Sequence, residues 1–297
     1  MKEVAVHQVD AFAEAIFGGN PAGVVSNADS LTESEMQNIA REMNLSETAF
    51  VVAPTTKDAD VRFRFFTPTQ EIPFCGHATV GALFQLAALN LFHLGKPGKN
   101  SVRVETGAGV LPATITNADD APAVTFGAPN VEMVPYQLQG EAFATAFGIP
   151  TELIKTDATI LLDKKLNYIY IPAASLDLLG KQSFNFDHIR KQFGTEKIIA
   201  FALYTNETFS NKSDLHARGL APNVGIDEDP FTGSIQAGLI AAAKQNGYID
   251  AGKERIVTEQ GNFVERPGKA EVHHNITTNE FTVTASAAPV FSSIWRI

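Results

Sequence analysis

Cys75-Gly76-His77-Ala78-Thr79-Val80-Gly81 opens a strongly apolar segment in the first half of the chain, and Thr232-Gly233-Ser234-Ile235-Gln236-Ala237-Gly238 opens another in the second. Both read [Cys/Thr]-Gly-[His/Ser]-x-x-x-Gly followed by a helical run. The first turn of a helix leaves backbone N–H groups without intrahelical partners and carries a partial positive charge. A glycine there lets a ligand approach the backbone closely. Two such ends facing each other would hold a small carboxylate from both sides. The pair predicts an enzyme with its site at a pseudo-twofold cleft.

The repeat extends outward from these stretches. Upstream, Arg64-Phe65-Phe66-Thr67-Pro68 matches Arg218-Gly219-Leu220-Ala221-Pro222 as Arg-x-x-x-Pro. Downstream, Val102-Arg103-Val104-Glu105-Thr106 and Ile256-Val257-Thr258-Glu259 are both strand-like, each followed by a glycine (Gly109, Gly261) and a valine (Val110, Val264). A unit this long exceeds a solenoid repeat and points to two duplicated domains. Gly, Ala and Val are common residues, so a single pair could be coincidence; four matching features in one order favour duplication. The expected domains are 1–128 and 129–297, joined near residues 115 to 135, with the last strand able to return to the first domain.

At 297 residues the chain can bury a large core. Its net charge of −10 argues against nucleic acid and against anionic membrane. The start, Met1-Lys2-Glu3-Val4, lacks the apolar stretch of a signal peptide, and no apolar run reaches membrane-spanning length. One cysteine permits no internal disulfide, as expected of a cytoplasmic protein.

Val4 to Phe12 reads as an opening strand, and Gly18-Gly19-Asn20-Pro21 as a turn before a strand from Ala22 to Val25. Thr32-x-x-Glu35 is a capping box, with Leu31 and Met36 as a hydrophobic staple. Met36, Ile39, Ala40 and Met43 form the stripe of an amphipathic helix. Val61, Phe63 and Phe65 alternate with Arg62 and Arg64 in a half-buried strand. Ala78 to Phe92 and Ala237 to Ala243 are apolar almost all the way round, which predicts helices buried on every side. Lys244-Gln245-Asn246-Gly247 ends the second with a glycine cap. Short surface helices are expected near Glu141 to Phe147 and Phe186 to Phe193. The predicted class is α+β, two pseudo-symmetric domains, each a curved, mostly antiparallel sheet around a central buried helix.

Glu47, in Leu45-Ser46-Glu47-Thr48-Ala49-Phe50-Val51, is the one charge among the odd positions Leu45, Ala49, Val51 and Ala53 that share its strand face. A desolvated carboxylate there is suited to proton transfer; the alternative is a strand-end glutamate with its head in solvent. His77 falls at the first or second helical position, where a neutral imidazole can donate or relay a proton, or merely fill a cap. Asp229 closes the run Asp227-Glu228-Asp229, held extended by Pro230 and close enough to flank the second helix mouth. Cys75 could be a base or nucleophile of lowered pKa, or simply a small buried residue. The histidines are scattered, and no His-x-x-x-His, Cys-x-x-Cys, Gly-x-Gly-x-x-Gly or Gly-x-Ser-x-Gly occurs. The expectation is therefore a site with no metal and no cofactor.

Taken together the residues resemble the phenazine-biosynthesis-like (PhzF-like) isomerase family. The resemblance runs through Val9-Asp10-Ala11-Phe12, Gly19-Asn20-Pro21-Ala22-Gly23-Val24-Val25, Ser46-Glu47-Thr48-Ala49-Phe50, Arg64-Phe65-Phe66-Thr67-Pro68, Glu71-Ile72-Pro73-Phe74-Cys75-Gly76-His77-Ala78-Thr79 and Glu228-Asp229-Pro230-Phe231-Thr232-Gly233-Ser234. It implies the diaminopimelate-epimerase fold with the site between two domains, a homodimer, and cofactor-independent proton transfer. Glu47 matches the family's catalytic acid/base. His77 and Asp229 match residues that hold substrate and assist proton movement, and Gly76, Gly233 and Ser234 match donors to its carboxylate. Related epimerases use a cysteine at each helix head, but here Thr232 stands at the second. That disfavours two-cysteine racemisation and leaves the work to Glu47. The alternatives are an amino-acid epimerase or racemase and a non-catalytic small-carboxylate-binding protein on the same fold.

Overall fold

The computed structural model describes residues 1–118 and 122–297. Part of the expected junction, residues 119–121, lies outside the described residues. The chain divides into two compact units, Met1–Gly127 with Val283–Ile297, and Ala128–Thr282.

In the first unit, strand Glu3–Ala11 pairs antiparallel with Asn20–Val25 and, on its other edge, with Ala287–Arg296. Asn20–Val25 runs parallel to Glu47–Val52, which pairs antiparallel with Val61–Phe66. Val61–Phe66 then pairs antiparallel with the short Glu71–Ile72 and parallel with Gly98–Thr106. Gly98–Thr106 pairs antiparallel with Gly109–Asn117. Between Ala11 and Asn20 the chain needs a glycine: Gly19 sits at φ +52°, and a Cβ there would lie 2.0 Å from the Ala11 carbonyl oxygen.

Helix Gly76–Ala88 packs on this sheet with every residue from His77 to Ala87 buried. Within it the Thr79 hydroxyl donates to the Cys75 carbonyl at 2.7 Å, and Gln85 Nε2 lies 3.3 Å from His7 Nδ1. The helix is shorter than the apolar run predicts. Asn90 takes a left-handed conformation at φ +51°, which asparagine tolerates, and Leu89, Leu91 and Phe92 on either side of it are exposed. Helix Glu33–Met43 carries the capping box on Thr32 and Glu35, and buries Met36, Ile39 and Ala40 with Leu31.

The second unit repeats the order of pairings. Leu161–Asp163 pairs antiparallel with Tyr168–Pro172, which runs parallel to Ala200–Thr205. Leu215–Ala221 follows antiparallel and pairs antiparallel with Ile226–Asp229 and parallel with Arg255–Gln260. Arg255–Gln260 pairs antiparallel with Gly268–Asn275. Among the described residues, two parallel pairings thus interrupt the antiparallel pattern in each unit, at matching places. The buried helix here is Gln236–Gln245, and its first turn, Gly233–Ile235, is a 3₁₀ turn rather than α-helix. Gly247, at φ +70°, lets Tyr248 N–H donate to the Ala243 carbonyl and close the helix. The short helices Gly140–Phe147 and Phe186–Phe193 cover a cluster centred on Phe143, Phe147, Phe193 and Phe201.

The paired Arg-x-x-x-Pro stretches have one physical role. Arg64 forms a two-pronged pair with Glu71, at 2.7 and 2.6 Å, and Arg218 does the same with Glu228, at 2.8 and 2.6 Å. Each arginine clamps the short return strand that delivers the chain to its helix head. Glu105 and Glu259 also match: each accepts two successive backbone N–H groups, from Thr55 and Thr56 and from Phe209 and Ser210.

Candidate active site

Strand Glu47–Val52 begins at Glu47, and residues 47 to 51 are all buried. Leu45 precedes the strand, so the single apolar face of odd residues is replaced by a strand covered on both sides. Phe50 packs beneath helix Glu33–Met43, and Glu47 points to the head of helix Gly76–Ala88.

His77 is the second residue of that helix, and the imidazole is ringed by polar groups. Glu47 Oε2 lies 3.2 Å from its Nε2, and both residues are only 7% exposed. The approach is close but poorly aligned, and Glu47 Oε2 makes no hydrogen bond. Ser46 Oγ is 3.3 Å from Nε2, Asn20 Nδ2 is 3.3 Å from Nδ1, and Cys75 Sγ is 3.4 Å from Nδ1. With the Asn20 amide nitrogen facing Nδ1, that ring nitrogen accepts. Nε2 then carries the proton, on the side of Ser46 and Glu47. Cys75, the residue before the helix, makes no side-chain capping bond to it. A Cβ built on Gly76 would meet nothing within 4 Å, so the backbone at the helix head faces open space. Glu47, Cys75 and His77 also offer one oxygen, one sulfur and one nitrogen that all lie within 4.8 Å of one another. No sequential metal motif marks this cluster in the sequence, because its members come from a strand start and a helix head.

The head of the second helix is a network of hydroxyl and amide groups. Thr232 Oγ1 donates to Asp229 Oδ2 at 2.6 Å. Gln260 Nε2 donates to the Asp229 carbonyl at 2.7 Å, and Thr232 N–H donates back to Gln260 Oε1 at 3.3 Å. Ser234 Oγ lies 3.0 Å from the Tyr168 hydroxyl, whose pKa burial pushes up. The acidic run is divided among partners: Asp227 pairs with Arg190, Glu228 with Arg218, and Asp229 accepts from Thr232.

Within the first unit the structure therefore gathers Glu47, His77, Gly76 and Cys75. Within the second it gathers Asp229, Thr232, Gly233 and Ser234. Asn20, Tyr168 and Gln260 were not singled out by the sequence. Asn20 follows the one glycine whose conformation the turn demands, which is a usable signal. Tyr168 and Gln260 are ordinary strand residues whose partners are far away in the chain.

The family model for phenazine biosynthesis-like proteins (PhzC-PhzF) matches residues 9–293. An uncharacterized isomerase of Clostridium acetobutylicum is 31% identical over 99% of this chain and 98% of its own. An uncharacterized isomerase of Bacillus subtilis is 31% identical over 98% of each chain. Among solved structures, the PhzF-family phenazine biosynthesis protein of Bacillus anthracis superposes over 100% of both chains, with TM-score 0.87 and 26% identity. A probable proline racemase of Agrobacterium radiobacter, at 10% identity and TM-score 0.63 over 99% of this chain and 92% of that one, shares the mixed α+β fold alone. The chain belongs to the phenazine biosynthesis-like protein family.

Proposed function

We propose that this protein is an isomerase that shifts a proton within a small carboxylate-bearing substrate, with Glu47 as general acid/base and no cofactor. Glu47 carries this reading: its Oε2 is buried, has no hydrogen bond and lies beside a histidine at a helix head. An unpaired buried carboxylate oxygen costs stability, and acid–base chemistry gives it a use. Curated relatives named isomerases support the same reading.

In the proposed cycle Glu47 takes a proton from a substrate carbon and returns it at a neighbouring one, so the net change is a moved hydrogen. His77 offers its Nε2 proton to charge developing on the substrate. The backbone at Gly76 and Gly233 and the Ser234 hydroxyl are assigned to the carboxylate, with Asp229 holding the substrate and assisting proton movement. The matching pairings of the two units are inferred to descend from one duplicated, pseudo-symmetric domain of the diaminopimelate-epimerase type. A homodimer and a cytoplasmic location are further proposals, the first measurable by sedimentation velocity.

A two-cysteine epimerase is the weaker reading, because Thr232 stands where the second thiol is needed and its hydroxyl donates to Asp229. Solvent-deuterium incorporation into a panel of cyclic and unsaturated small carboxylates, followed by proton NMR, separates the readings. The isomerase incorporates deuterium with migration of unsaturation, the epimerase incorporates it at a stereocentre, and a non-catalytic binding protein incorporates none.

A further inference from the structure

The geometry points to a second capability of the first helix head: capture of a soft divalent cation, zinc above all, by Cys75 Sγ, His77 Nε2 and Glu47 Oε2. Zinc there would hold the enzyme in a blocked state. The blocking half rests on Glu47 being the acid/base; the binding half does not.

Two of the three donor separations match edges of a zinc tetrahedron. With Zn–S about 2.3 Å and Zn–N and Zn–O about 2.0–2.1 Å, a tetrahedron has an S···N edge of about 3.6 Å and an N···O edge of about 3.3 Å. Cys75 Sγ lies 3.8 Å from His77 Nε2, and Glu47 Oε2 lies 3.2 Å from the same nitrogen. All three residues are buried and their donor atoms lie within 4.8 Å of one another; binding turns the imidazole, because Cys75 Sγ lies nearer Nδ1, at 3.4 Å, than Nε2. Glu47 Oε2 is a desolvated acceptor without a hydrogen bond, which a cation would satisfy directly. Asn20 stands at the other ring nitrogen; turned so that its amide oxygen accepts from Nδ1–H, it fixes the tautomer that leaves Nε2 for the metal.

Thiolate in the donor set selects zinc and similar ions over magnesium and calcium. Binding releases the Cys75 thiol proton to solvent, while Glu47 enters as carboxylate and His77 as neutral imidazole. No oxidation state changes. Three protein ligands leave a fourth position for water or for Ser46 Oγ, which lies 3.3 Å from Nε2. Among the described residues no other trio of His, Cys, Asp or Glu side chains comes together in this way.

The test is titration of the reduced, untagged full chain with zinc against a chromophoric chelator, and with cobalt(II) by absorption spectroscopy. The expected result is one metal per chain, a thiolate-to-cobalt charge-transfer band and a melting temperature that rises with zinc. Cys75→Ala and His77→Ala should each lose more than about a hundredfold in affinity, beyond what outer groups contribute. Cobalt binding without the thiolate band, or Cys75→Ala binding zinc as tightly as the native chain, overturns the site. Should Cys75→Ala fail to fold, the native cobalt spectrum decides alone. One metal per chain with the band, but deuterium exchange at the metal-free rate, contradicts the blocking half and Glu47 as base while leaving the binding site standing.

Discussion

At the head of helix Gly76–Ala88 the preceding side chain is a thiol that makes no capping bond and lies against an imidazole. At the head of helix Gln236–Gln245 the same position is Thr232, a hydroxyl donating to Asp229 within a network closed by Gln260. The two heads share a chain pattern, a clamping arginine and an order of strand pairings, yet differ in chemistry. The first holds a carboxylate, an imidazole and a thiol, with Glu47 Oε2 left without a hydrogen bond. The second holds a carboxylate, a hydroxyl and an amide tied to one another by hydrogen bonds. The same order of strand pairings thus carries two helix heads of different chemistry, set by a few residues at the first helical turn.

The sharpest way to break this contrast is Glu47→Gln. The amide keeps the shape but cannot shuttle a proton, so turnover of an identified substrate should fall by roughly 10²–10⁴-fold. A pair of glycine substitutions separates the helices structurally. A Cβ at Gly238 would sit 2.1 Å from the buried Tyr170 hydroxyl, whereas one at the matching Gly81 would lie 3.2 Å from Ala22 Cβ. Gly238→Ala should therefore cost about 1–3 kcal/mol through overpacking. For Gly81→Ala the tighter contact is offset by a helix-propensity gain of up to about 1 kcal/mol, leaving stability nearly unchanged. Thermal or urea unfolding of the two variants checks the difference.

Smaller effects sharpen the assignment of roles. Ser234→Ala removes one neutral donor, so KM should rise by about tenfold or less with kcat nearly unchanged, the signature of lost uniform binding. Steady-state kinetics with the same substrate measures that split. Cys75→Ser should lose less than about tenfold in turnover, far less than an acid–base group contributes. Equal losses for Cys75→Ser and Glu47→Gln would return the thiol to the mechanism.

Both heads were legible before any coordinates because glycine, apolar periodicity and capping residues act locally. Thr32 and Glu35 cap as their spacing dictates, and Gly247 ends its helix in the left-handed region. What escaped depends on contacts distant in the chain. Strand alternation misjudged the faces around Glu47 because helices cover both sides. The apolar run to Phe92 overshot because Asn90 turns the chain left-handed at no visible cost to hydrophobicity. Asn20, Tyr168 and Gln260 gain meaning from partners 57, 66 and 28 residues away. The metal-sized trio is split between Glu47 and Cys75-Gly76-His77, which no local spacing rule joins.

In the proposed cycle Glu47 moves the proton, and the neighbouring groups hold the substrate and assist. Ligand affinity and solvent-deuterium exchange, measured together on Glu47→Gln with a substrate identified by the NMR panel, test it most directly. Affinity should stay within a few-fold of the native chain while exchange falls by about a hundredfold or more. Exchange at close to the native rate would contradict it.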